Sequence, residues 1–265
     1  MNFVGKDDII YRIVYLIMVV IRMNIKLYLQ FDGTDYCGWQ IQPGKPTIQG
    51  EIKEAIQSIT GDNIMPEGCG RTDSGVHAKR YVCSFKTKSN IPIERIPYAL
   101  NSKLPDGIIC VGAEHADDEF RANRSAIGKT YRYTIDNGTF ADMFMRRYAW
   151  HYKFPIDIGL MRQAAEAFCG THDFIGFASS GFSVKTTVRT IHSVKIEKCG
   201  SIITIDVTGN GFLYNMVRII AGTLVYAGSG RIPAGDMPEI IASKCRNKAG
   251  ITAPAKGLCL EEVYY

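Results

Sequence analysis

What this chain lacks narrows its chemistry before any motif is considered. It has eight cysteines, at positions 37, 69, 83, 110, 169, 199, 245 and 259, and no two are closer than fourteen residues. No C-x-x-C pair exists, which excludes a zinc ribbon and a thioredoxin-like redox site. Scattered thiols of this kind suit the reducing cytoplasm, where the chain is expected to reside. The five histidines are dispersed and no H-E-x-x-H occurs. No G-x-x-x-x-G-K-[ST] loop is present, and "GNGFLY" and "GSGRIP" each lack the third glycine of a dinucleotide fingerprint. Neither nucleotide hydrolysis nor hydride transfer is supported.

Long hydrophobic runs are missing too. The best, "IIYRIVYLIMVVI" at 9–21, is thirteen residues long and contains Arg12, whereas a membrane span needs about 20. Lys6 is followed by Asp7 and Asp8, which is not the basic start of a secretory signal. Residues 1–22 are therefore read as an N-terminal extension upstream of a true start at Met23. The alternative is an extra element packed on the body.

Composition is that of a soluble globular protein, 46% hydrophobic and 22% charged over 265 residues, enough for one large domain or two smaller ones. The net charge of +5 is uneven. Residues 126–265 carry 16 lysines and arginines against 11 acids, and residues 23–125 carry 12 against 13. A mildly basic half only weakly favours a polyanionic partner, and on charge alone a solvated surface is the better reading.

Periodicity supplies the elements. "IKLYLQF" (25–31) alternates apolar and polar residues as a half-buried strand does. Ile48, Ile52, Ala55, Ile56 and Ile59 share one helical face, with Thr47 as cap and Gly61 as stop. Strands are expected at 81–87, 108–114, 129–136 and 257–265, and a hairpin over 188–207 turning at Cys199-Gly200-Ser201. Helices are expected at Ile93–Leu104, Gly159–Cys169 and 212–228. The pattern is an α+β protein of two similar halves, 23–125 and 126–265. Each half is a mostly antiparallel sheet backed by helices, with the active-site cleft between them.

Three stretches carry candidate chemistry. "GCGRTDSGVHA" (68–78) has little to bury. Gly70 and Gly75 bracket Arg71 and Asp73, so Asp73 is either a reactive carboxylate or the centre of an Asx-turn. Arg218 lies in a helix that is apolar nearly all round. A guanidinium there either snorkels to solvent or meets a carboxylate across the two halves, and Asp73 is the carboxylate most in need of a role. "TYRYTID" sets Tyr131 and Tyr133 on one strand face with Arg132 opposite. Such tyrosines are core residues or platforms for unstacked bases. Lys129, Arg132, Arg146, Arg147, Lys185 and Arg189 supply positive charge nearby in sequence.

In order along the chain, "GWQ" (38–40), "GRTDSGVHA" (70–78), "KTYRY" (129–133), "VRTI" (188–191), "GNGFLYNMVRIIAGTL" (209–224) and "TAPAKGL" (252–258) resemble the TruA family of tRNA pseudouridine synthases, over essentially the whole chain from Ile25 to Tyr265. The resemblance implies isomerisation of uridine to pseudouridine at tRNA positions 38, 39 and 40 of the anticodon stem-loop, by a homodimer that uses no cofactor and no metal. It assigns the nucleophile to Asp73, its arginine partner to Arg218, contact with the target base to Tyr131 and displacement of the target nucleotide to Arg71. Tyr131 is also placed to take the C5 proton at the end of the reaction. Four positions in three motifs depart from the family pattern: Ile41 after "GWQ", Asn123 in "FRAN", and Arg80-Tyr81 after the histidine motif. Two other readings of the residues remain open. One is a glycosidase-like hydrolase pairing Asp73 with Glu67; the other is a non-catalytic RNA-binding module.

Overall fold

The computed structural model describes residues 22–181 and 184–265, so the expectation about an extension before Met23 lies outside the described residues apart from Arg22. Strand β1 (Met23–Phe31) buries Ile25, Leu27, Leu29 and Phe31 and leaves Gln30 outside, the period-two pattern its sequence carries. It lies between β3 (His77–Thr87) and β4 (Ile108–Ala116), antiparallel to both. In the second half, β5 (Gly128–Asp136), β9 (Ile202–Gly209), β8 (Val188–Cys199) and β7 (Gly170–Asp173) follow one another, again antiparallel. Two-residue strands β2 (Glu67–Gly68) and β6 (Trp150–His151) pair with β3 and β5.

The last strand joins the halves. β10 (Leu258–Tyr264) runs parallel to β3 through Cys259↔His77 and Leu260↔Ala78, and antiparallel to β5 through Leu260↔Tyr131. The result is one ten-stranded sheet in the order β4-β1-β3-β10-β5-β9-β8-β7. The α+β class and the two helix-backed, mostly antiparallel halves stand, now with a shared seam. The strands at that seam carry the residues the sequence singles out: the loop before β3 holds Asp73, and β5 holds Tyr131.

Among the described residues, five helices pack on this sheet. α1 (Ile48–Thr60) buries Ile48, Ile52, Ala55 and Ile56 and ends at Gly61 in the left-handed region, with φ of 76°. Thr47 occupies its cap position, but the hydroxyl makes no capping bond. Residues 93–104 split into a 3₁₀ turn and α2 (Ile96–Asn101), because Pro97 lacks the N–H that a continuous helix needs and fits only its first turn. α3 (Ile158–Glu166) starts where Asp157 accepts a bond from the Leu160 N–H. α4 (Met216–Gly228) is buried almost all round, with Val217, Ile219, Ile220 and Leu224 in the core. It begins four residues later than the sequence pattern suggests because Asn215 takes φ of 61° and breaks the helical path. The strand expected at 81–87 begins earlier, at His77. The short α5 (Met237–Ala242) has no counterpart among the expected elements.

Candidate active site

The glycine-rich loop is a shaped ledge held by neighbouring backbone. Gly38 has φ of 83°, and a Cβ there would sit 2.3 Å from the Thr72 carbonyl oxygen. No other residue allows the approach, and it lets the Trp39 N–H donate to that carbonyl at 3.2 Å. The Gly75 N–H and the Ser74 hydroxyl both donate to the Tyr36 carbonyl. Tyr81, fully buried and stacked on Trp39 at 4.4 Å, donates its hydroxyl to the Gly70 carbonyl. "GWQ" and the departure at Tyr81 thus serve the same end: they brace the loop from below.

Asp73 does not form an Asx-turn. Among the described residues its carboxylate takes no backbone bond and has one partner, Arg218 Nη1 at 3.2 Å from Oδ2. Arg218 comes from the first turn of α4, 145 residues away in sequence. The same Nη1 donates to Asn215 Oδ1 at 2.7 Å, and Nε donates to the Ala253 carbonyl at 2.8 Å. The Ala253 N–H returns a bond to the Arg218 carbonyl. The guanidinium is therefore fixed by three acceptors, and the left-handed turn at Asn215 presents one of them. Snorkelling to solvent does not occur; the arginine side chain is 16% exposed and the aspartate 21%.

Burial is the largest influence on Asp73 and raises its pKa above the ordinary carboxylate value; Arg218 pulls it back only in part. The arginine limits a desolvation penalty that the fold itself imposes. Among the described residues, no second carboxylate acts on Asp73. Glu67, the acid a hydrolase would need, sits on β2 and pairs with Arg121 at 3.8 Å.

Tyr131 lies on β5 beside this pair and is buried. Its ring stands edge-on to Phe212 at 5.3 Å, and among the described residues its hydroxyl has no hydrogen-bond partner. Burial pushes its pKa up, with the Asp73 charge adding to the effect. A neutral phenol suits stacking and hydrogen-bond donation; the phenolate needed to take a C5 proton is disfavoured. Arg71 is exposed at the outer edge of the loop. The other cations of the second half divide. Arg132 is locked in a bidentate pair with Asp206, Arg147 bonds Asp35, and Arg189 turns onto the Thr186 and Val188 carbonyls.

His77 was not among the candidates, yet it ties the seam together. The Gly33 N–H donates to its Nδ1 at 3.1 Å, and its Nε2 faces the Arg147 and Lys256 carbonyls at 2.9 and 3.2 Å. These partners assign the proton to Nε2. Nδ1 also lies 3.1 Å from Asp32 Oδ1, a contact that becomes an ion pair only on protonation. Burial lowers the His77 pKa, so the neutral ring is favoured. Asn215 and the Ala253 carbonyl were missed as well, although both fall inside quoted motifs; i, i+3 spacing from Arg218 was the available signal for Asn215.

The family model described as tRNA pseudouridine synthase matches residues 28–123 and 164–265. The chain belongs to the tRNA pseudouridine synthase family. Curated relatives agree: proteins named tRNA pseudouridine synthase A from Thermoanaerobacter sp. (strain X514) and Brevibacillus brevis are each 47% identical over 242 residues, covering 91% of this chain and 99% of theirs. One from Acetivibrio thermocellus is 48% identical over the same span. Of the departures from the family pattern in this tRNA pseudouridine synthase, Ile41, Asn123 and Arg80 are exposed and Tyr81 is buried. Ile41 lies next to "GWQ", and Asn123 lies between Arg121 and Arg124. Arg80 pairs with Glu262 at 2.9 Å.

Proposed function

We propose that this protein converts uridine to pseudouridine in tRNA, with Asp73 as nucleophile, at positions 38, 39 and 40 of the anticodon stem-loop. The observation that carries the proposal is the lone Asp73 carboxylate. It is half-buried, paired across the halves with Arg218 and beside Tyr131, and among the described residues no second acid acts on it. A hydrolase built on paired carboxylates has no such arrangement. A binding module would gain nothing from holding an unfavourably buried charge.

The reaction is an isomerisation and needs no oxidant. The C1′–N1 bond breaks, the uracil turns, C5 bonds to C1′, and C5 loses a proton while N1 gains one. Asp73 supplies the covalent attachment, at C1′ or on the base. Arg218 fixes the direction of the attacking oxygen, and Tyr131 offers its ring face to the uracil while it is detached. The target lies in a helical stem and must be turned out of the stack first. Arg71, exposed on the ledge, is the cation available to occupy the gap. We propose that the chain acts as a cytoplasmic homodimer in which each subunit gives part of a basic surface to one tRNA. We also propose that residues 23–125 form the unit carrying the nucleophile and 126–265 the unit carrying its partners.

Mapping of pseudouridine in tRNA from a strain lacking this protein tests the assignment. The expected result is loss of pseudouridine at one or more of positions 38–40, restored by the wild-type chain and not by Asp73→Asn. An unchanged modification profile would overturn it.

A further inference from the structure

Lys129 has no part in the chemistry above, yet its setting is unusual. It lies on β5 two residues before Tyr131, hence on the same strand face, with Cα atoms about 7 Å apart. Its stem is half-buried. Its ammonium packs against the catalytic loop, since a Cβ on Gly70 would sit 2.8 Å from Nζ. Among the described residues it makes no salt bridge and no side-chain hydrogen bond. The one titratable group close enough to act on it is the Cys69 thiol, which burial holds in its neutral form. The lysine is not fully sealed and keeps contact with solvent.

Elsewhere the fold treats a half-buried strand lysine differently. Lys26 on β1 pairs with Glu114 at 3.1 Å and is ringed by Tyr28, Phe120 and Tyr265. A lysine kept for structure is given a carboxylate. Lys129 is desolvated without one, and burial lowers its pKa, so the fold bears a cost that an anion arriving in the cleft would remove.

We propose that Lys129 is the binding residue for a backbone phosphodiester of the turned-out nucleotide, gripping it one nucleotide's reach from the uracil held at Tyr131. The proposal rests on the site accepting an RNA nucleotide. Gly70 is part of the same device: with no side chain there, the ammonium can stand at the loop edge. Phosphate contacts fix register and orientation, and this one would hold the ribose still while the uracil detaches and turns.

The test uses the full-length protein and an anticodon stem-loop RNA carrying uridine at 38–40. Affinity is measured across a salt series for the wild type, Lys129→Met and Lys129→Arg. Lys129→Met is expected to weaken binding by about tenfold or more and to lower the slope of log K against log salt by about 0.7–0.9. Lys129→Arg should keep the slope. Replacing single phosphates beside the target uridine by neutral methylphosphonate should then weaken wild-type binding at one linkage and leave Lys129→Met indifferent there. Melting of Lys129→Met should occur no lower than that of the wild type, because a desolvated charge has been removed. Lys129→Gln carries the same comparison if the methionine variant fails to fold. An unchanged salt slope, or methylphosphonate penalties equal in the two proteins at every linkage, overturns the proposal. Pseudouridine formation by the wild type is scored in the same reactions. Its absence would defeat the assignment of the site, while the phosphate result would stand or fall on binding alone.

Discussion

Removing the Arg218 guanidinium should do more harm to the fold than removing the charge it faces. Arg218→Ala deletes bonds to the Ala253 carbonyl and to Asn215, each worth about 1.5–3 kcal/mol for a charged donor before compensation. It also strands the Asp73 carboxylate. Breaking a truly buried pair costs about 3–5 kcal/mol. The two side chains here retain 16% and 21% exposure, so about 3 kcal/mol is the expected loss. That is survivable for a protein with the usual total of about 5–15 kcal/mol. Asp73→Asn should behave in the opposite sense. Burial raises the Asp73 pKa in the folded chain above its ordinary 3.8, so the folded protein holds that proton more tightly than the unfolded one. Stability is then lost as pH rises from about 3.8 through the folded value, and the asparagine variant is spared that loss. At pH 7 it should be at least as stable as the wild type. In the double mutant no charge is stranded, so part of the Arg218→Ala loss should return. Urea denaturation of all four proteins at pH 7, with unchanged m-values, measures this. An Arg218→Ala loss under about 1 kcal/mol, or single effects that add within about 0.5 kcal/mol, would refute the coupling.

Gly38→Ala should cost about 1–3 kcal/mol and lower kcat more than it raises KM, because the new methyl collides with the Thr72 carbonyl and tilts the ledge carrying Asp73; wild-type kcat in purified Gly38→Ala would contradict the bracing role. His77 should make the fold sensitive to acid: its pKa is lowered in the folded state, so stability present above the unfolded value of about 6.5 is lost as pH falls from there toward the folded value. Melting temperature followed from pH 7.5 to 5.5 should drop less steeply in His77→Gln, and equal slopes would argue against a neutral buried ring. Tyr131→Phe should retain much more activity than Tyr131→Ala if the ring face is what holds the uracil; equal losses would point to the hydroxyl instead.

Much of the fold was legible because its signals are local. The alternation of Ile25, Leu27 and Leu29, the helical face of Ile48 to Ile56 and the turn at Gly200 each follow from a short window of sequence. The joining of the halves was not legible, because the β10–β3 pairing links Cys259 to His77 and no local pattern encodes a parallel contact between residues so far apart. The start assigned to α4 at residue 212 failed for a conformational reason: Asn215 takes a left-handed φ that a polarity pattern does not reveal. At the site, the need of Arg218 for an acid was readable from the apolar run around it. The net direction of the Asp73 pKa was not, since it depends on how much protein surrounds the carboxyl once the halves meet. Tyr81 looked like a departure from pattern until its hydroxyl was found on the Gly70 carbonyl.

The central claim is that Asp73 performs chemistry while other residues supply affinity. Single-turnover conversion of a tRNA carrying uridine at 38–40, with Asp73→Asn in excess and its tRNA affinity measured alongside, tests that claim most directly. The account predicts no pseudouridine at any time point and a Kd within about tenfold of the wild type, roughly 1.4 kcal/mol. Wild-type turnover by Asp73→Asn would contradict it.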